Sequence, residues 1–255
     1  MKRMALLTAL VLLAAAMPML AQPPALRAGA RNFASDFQTL PVTSNVNGVG
    51  GSRFQTYLAI LNPTASAFTV TASLYDANGT KRDAAINLAA GELKTFDNFL
   101  EAVFNTTGGG AVTFSAPESA GGTHNNRFII NAEIWTTGTR YGTTVPVLEF
   151  AGSSSPQYSP GISTDATSRT NIGCFNQANA ANAIKATVYD KSGTQTIGTF
   201  NLNLPANAWG QTAVTSVVTN GLVKFEPSDS AVCYAVVVNN GTNDGHLVAA
   251  TEFRP

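Results

Sequence analysis

Residues 69–80 read TVTASLYDANGT, and residues 184–194 read IKATVYDKSGT. Both alternate in polarity, end in Tyr-Asp and run into a glycine turn. The shared Tyr-Asp lies 114 positions apart, at Tyr75-Asp76 and Tyr189-Asp190, and the same offset pairs Asn62 with Asn176 and Gly79 with Gly193. TYLAILN (56–62) faces TNIGCFN (170–176); after a two-residue gain, INLAAGELKTF (86–96) faces LNLPANAWGQT (202–212). VLEF (147–150) and ATEF (250–253) close the two copies. A chain that repeats itself at this interval must use a fold that roughly a hundred residues can complete twice. The expected organisation is two homologous modules, 32–152 and 153–255. AGSSSPQYSP (151–160) reads as a Ser/Pro linker too short to let them roam.

Within each copy the pattern is that of strands. In FTVTASLYD, Phe68, Val70, Ala72 and Leu74 fall on one face, while Thr69, Thr71, Ser73 and Tyr75 fall on the other. FQTYLAILN alternates in the same way, and further strands are expected at 83–88, 92–96, 111–115, 128–135 and 144–150. Residues 97–105, DNFLEAVFN, break the alternation and space Phe99, Val103 and Phe104 as a short helix would. The 22 glycines and the scarcity of Lys and Glu argue against a helical protein. About seven short strands per hundred residues describe an all-β chain of two tandem β-sandwich, immunoglobulin-like modules. A barrel has the same periodicity.

Lys2 and Arg3 precede an almost wholly apolar run, 4–20, and Ala21 precedes a polar residue. This is the layout of a secretory signal peptide over 1–21, followed by a flexible segment, 22–31; an uncleaved anchor is the competing reading. The expected location is the bacterial cell envelope or exterior, periplasmic or extracellular, with no membrane span in the mature chain. Cys174 and Cys233 both lie in the second copy and are expected to form a disulfide in an oxidising compartment. Ile60 stands where Cys174 does, and a residue near Asn131 or Ala132 stands where Cys233 does. The net charge is zero, with 12% charged residues, so no basic face recommends nucleic acid as a partner.

Chemistry-bearing residues are sparse. His124 and His246 are isolated in sequence, and no nucleophile elbow, zinc motif or phosphate loop is present. No cofactor and no metal site is expected. Asp76, Asn78 and Asp190 could ligate calcium, but a hairpin turn uses the same residue types, and Lys191 in the second copy opposes a cation. Glu149 and Glu252 recur at matching places, each before a Phe, which suits a structural role better than a catalytic pair. The candidate ligand-binding residues are aromatic: Tyr75, Tyr189, Trp135 and Trp209, with Tyr57 and Tyr141 as further aromatics. Tyr75 and Tyr189 could form a shared patch, or could simply pack against their own turns.

The stretch LPVTSNVNGVGGSRFQTYLAILNPTASAFTVTASLYDANG (40–79) resembles a repeated module of secreted proteins from soil bacteria such as acidobacteria. Its pattern is a Leu-Pro-Val strand, a Gly-rich turn, Asn-Pro and a strand ending in Tyr-Asp-x-x-Gly; the second copy departs from it with Gln177 in place of Pro63. The resemblance implies an immunoglobulin-like surface scaffold and no catalytic residues. The resulting expectation is an exported, non-catalytic structural or adhesive protein whose partner is an envelope protein, a polysaccharide or itself. A carbohydrate-binding module is the alternative, and a hydrolase using Glu149 or His124 ranks third.

Overall fold

The computed structural model describes residues 34–48, 51–117, 126–137, 142–149 and 152–252. The segments 1–21 and 22–31, His124 and Tyr141 lie outside them. Residues 32–255 form one compact unit. It is all-β, with seventeen strands and one short helix among the described residues.

The N-terminal half holds β1 (Phe37–Asn47), β2 (Arg53–Leu61), β3 (Phe68–Tyr75), β4 (Lys81–Leu88), β5 (Leu93–Phe96), α1 (Phe99–Phe104), β6 (Gly108–Ser115), β7 (Ile129–Thr136) and β8 (Gly142–Val145). The C-terminal half holds β9 (Gln157–Thr164), β10 (Ser168–Asn176), β11 (Asn182–Tyr189), β12 (Thr196–Leu204), β13 (Trp209–Ala213), β14 (Val218–Pro227), β15 (Ala231–Asn239), β16 (Gly245–Ala249) and β17 (Thr251–Glu252). Every pairing is antiparallel.

The strand orders match. One layer runs β4-β3-β6-β1 in the first half and β12-β11-β14-β9 in the second. The other runs β5-β2-β7-β8 in the first and β13-β10-β15-β16 in the second. Each half is thus sandwich-like. They differ at one seam: the end of β1 also pairs with β2, from Asn45 opposite Gln55 to Asn47 opposite Arg53, and joins the two layers into one curled eight-stranded sheet. The shorter β9 makes no such pairing.

Buried polar side chains recur with the strands. Asn62 donates to the Ala89 carbonyl and accepts from the Thr64 N–H; Asn176 donates to the Pro205 carbonyl and accepts from the Ala178 N–H. Gln38 donates to the Phe128 carbonyl, and Gln157 to the Ala231 carbonyl. In each half the first strand slips register beside a proline: between Leu40 and Thr43, spanning Pro41, and at Pro160-Gly161. Proline cannot donate to a ladder and is tolerated at such a bulge. Gly161 supplies the positive φ, +83°.

The Tyr-Asp-x-x-Gly segments are hairpin turns. The Asp76 carboxylate accepts the N–H groups of Asn78 and Thr80; that of Asp190 accepts those of Ser192 and Gln195 and the Ser192 hydroxyl. Gly79 and Gly193 take φ of +78° and +73°, a region that favours glycine.

Within the Ser/Pro stretch, Ser153 bridges Ala231, and Gln157 to Pro160 already belong to β9. One expectation needs correction. Cys174 and Cys233 form the expected disulfide, but its counterpart in the first half is Ile60 opposite Ile130, not Asn131 or Ala132. The Cys233 N–H donates to Gln157 and its carbonyl accepts from Ala250, so its backbone turns away from β10. The two cysteines therefore face each other as a non-hydrogen-bonded cross-strand pair, where side chains approach closest. The bridge staples adjacent strands of one sheet, unlike the inter-sheet bridge of antibody domains.

Candidate functional site: a cleft between the two halves

Strand β15 carries AVCYAVVV (231–238), eight apolar residues in a row. Such a run belongs to a strand covered on both faces. One face, with Cys233 and Ala235, lies in the core of the C-terminal half. The other face packs on the N-terminal half. Tyr234, fully buried, and Leu247 belong to the core of Leu40, Leu58 and Phe114, and Val236 and Trp209 pack against it. The sheet β13-β10-β15-β16 thus closes one end of the N-terminal sandwich, where β3 ends and β6 begins.

The seam is closely fitted. Tyr75 lies against Phe175 with ring centroids 5.0 Å apart, and the Trp209 N–H donates to the Asp76 carbonyl at 3.0 Å. The Trp209 ring lies over Gly109, where even a Cβ would come within 3.0 Å of it. Its indole Nε1 donates to the Tyr234 hydroxyl at 3.0 Å, and that hydroxyl donates to Gln211 Oε1 at 3.2 Å. Burial raises the Tyr234 phenol well above its ordinary pKa, with the Trp209 donor opposing, so it stays neutral. At β8, the Thr143 hydroxyl accepts the Leu247 N–H at 2.9 Å.

Beside this plug the fit is incomplete, and a cleft of about 570 Å³ remains. Val42, Val46, Phe54 and Ile134 form its N-terminal wall; Trp209, Val236 and Val238 form the other. Asn171, Gln211 and Arg169 supply polar groups. Among the described residues of the lining, Arg169 is the one that carries a charge. Its Nη1 and Nη2 donate to the side-chain oxygens of Asn240 and Asn243 at 3.0 and 2.9 Å. Desolvation lowers its pKa, and among the described residues it has no ion-pair partner.

The structure does not gather the four sequence candidates. Tyr75 and Trp209 are committed to the seam. Tyr189, at the position equivalent to Tyr75, lies on the outer face of the C-terminal half near Lys224, whose pKa is raised chiefly by Glu226. Trp135 lies on the outer face of β7, beside Tyr57 of β2, at 5.2 Å and tilted by 43°; Gln55 and Glu133 neighbour them on the ladder. Glu149 follows the bridge between Thr39 and Leu148, Glu252 sits opposite Gln157, and His246 is exposed on β16. Arg169, Phe54 and Tyr234 were not singled out from sequence. The unbroken apolar run of β15 was the signal that its outer face needed cover; the position of Arg169 inside a cleft had none.

Among the described residues no helix is long and apolar enough to cross a membrane, and no group of three or more metal-ligating side chains occurs. No protein-family model and no curated protein matches this chain.

Proposed function

We propose that this chain is an exported, non-catalytic structural or adhesive protein of the bacterial cell envelope, built from two homologous modules and acting through its surfaces. The observation that carries this reading is the edge strand β12. It runs nine residues, TIGTFNLNL, at the outside of its sheet, without a charge or a proline. Such an edge offers a ladder of backbone donors and acceptors to another chain. The equivalent edge, β4, begins with Lys81, Arg82 and Asp83, side chains that discourage strand addition. The disulfide suits an oxidising compartment. The test is a pull-down of residues 22–255 from envelope extract, alongside sedimentation to determine self-association, repeated with Asn201→Lys. Recovery of envelope protein or of the chain itself, lost in the variant, supports the reading. Unchanged recovery moves the interface elsewhere.

The carbohydrate-binding reading is favoured by one observation, the Tyr57–Trp135 pair with Gln55 and Glu133 on the same outer face. Aromatic faces with amide and carboxylate neighbours suit sugar rings. A polysaccharide panel with Trp135→Ala decides it: saturable binding lost in the variant supports a sugar site, and no binding removes it.

A further inference from the structure

The cleft between the halves has a chemistry of its own. Its walls are mostly aliphatic and aromatic: Val42, Val46, Phe54, Trp209, Val236 and Val238. A sugar, with hydroxyls on every side, would leave many of them unpaired against such walls. The volume is within the range of small-molecule sites. Among the described residues of the lining the charge is a single cation, Arg169, with no ion-pair partner. Arg169 is partly desolvated, and the acceptors holding it, Asn240 and Asn243, are neutral. Only two of the five guanidinium N–H groups are accounted for by these bonds. A guanidinium in this setting is oriented by its asparagines yet not neutralised, and a carboxylate is the group it pairs with best.

We propose that this cleft binds a small amphipathic carboxylate. The apolar body lies between Trp209 and the wall of Val42 and Val46, and the carboxylate meets Arg169. The amides of Asn171 and Gln211 supply further donors for the head group. One cation sets the preference for a monoanion over a more highly charged phosphate. Because both halves line the cleft, the bound molecule would tie them together and stabilise their docking.

The probe pair is octanoate and octanol, which share a tail and differ in the head group. Titration of residues 22–255 by calorimetry, with Trp fluorescence as a second readout, is expected to give saturable one-to-one binding of octanoate. Octanol should bind at least tenfold more weakly. Arg169→Gln should reduce octanoate to the octanol level and leave octanol unchanged. Arg169→Lys should retain part of the preference. Val46→Trp, at a partly exposed position, should block both probes and covers the case in which the Arg169 variants do not fold. Absence of saturable octanoate binding overturns the proposal. So does octanoate binding that is indifferent to Arg169→Gln, or that survives Val46→Trp.

Discussion

Asn176 shows how one side chain can hold several segments. Its amide donates to the carbonyls of Ala180 and Pro205, and its oxygen accepts from the Ala178 N–H and the Asn182 amide. It is fully buried. Asn176→Ala should cost roughly 2–3 kcal/mol, because several buried partners lose their bond at once; the midpoint of urea unfolding measures this. Asn62 occupies the same place in the first half, also fully buried, and the pairing was visible in sequence as two asparagines at one offset. Tyr234 was not visible in this way. Its importance comes from what lies across the seam, and nothing in the local pattern of β15 names Trp209 or Gln211 as its partners. Gly173 belongs to the same arrangement: a Cβ there would meet the Tyr234 hydroxyl oxygen at 2.4 Å. Gly173→Ala should destabilise by about 1–3 kcal/mol and shift the emission of Trp209.

Among the elements, the strands were the legible part. Period-two alternation located β3 over Phe68–Tyr75 as expected and β5 to within a residue, and the break in alternation at 97–105 contains α1. Asn98 caps that helix by accepting the Glu101 N–H. The hairpin β3–β4 carries a pH signature. The Ser73 hydroxyl is the chief cause that holds the Asp83 carboxyl below its ordinary range; burial, next in size, opposes it, and Lys81 adds to the lowering. The folded pKa is depressed, so on acidification the unfolded chain takes up the proton first. The stabilisation is present above about pH 4 and is lost as the pH falls through the folded value. Ser73→Ala should therefore flatten the acid side of the stability curve, measured by unfolding at a series of pH values. The effect is modest because Asp83 is half exposed. In the sheet β13-β10-β15-β16, replacing both cysteines by serine should cost roughly 4 kcal/mol on the loop-entropy account for a 59-residue separation. Replacing both by valine should recover part of this, since Ile60 and Ile130 fill the equivalent place without a bridge. Denaturant midpoints compare the two variants.

On the scale of the whole molecule, the strand orders of the two halves correspond, and that correspondence does not show how they join. Equivalent faces have different environments: the outer face of β2 and β7 carries Tyr57, Glu133 and Trp135, and the same face of β10 and β15 carries Asn171, Val236 and Val238 and is docked. The matching strand orders are what the halves share, and the junction consists of what they do not. Because Tyr234 and Leu247 sit in the other half's core, residues 32–255 should unfold in one calorimetric transition. The double variant Tyr234→Ala, Leu247→Ala should split that transition in two.

The seam also changes what the covalent connection between the halves contributes. Exposed Ser154 lies just after the bridge of Ser153 to Ala231, and the packing that joins the halves does not depend on the peptide bond beside it. A chain nicked there should behave as a two-subunit complex: the fragments should co-elute in size-exclusion chromatography and part only in denaturant. By the same logic, the halves made as separate polypeptides should find each other in solution, a complementing pair folded into a single gene product.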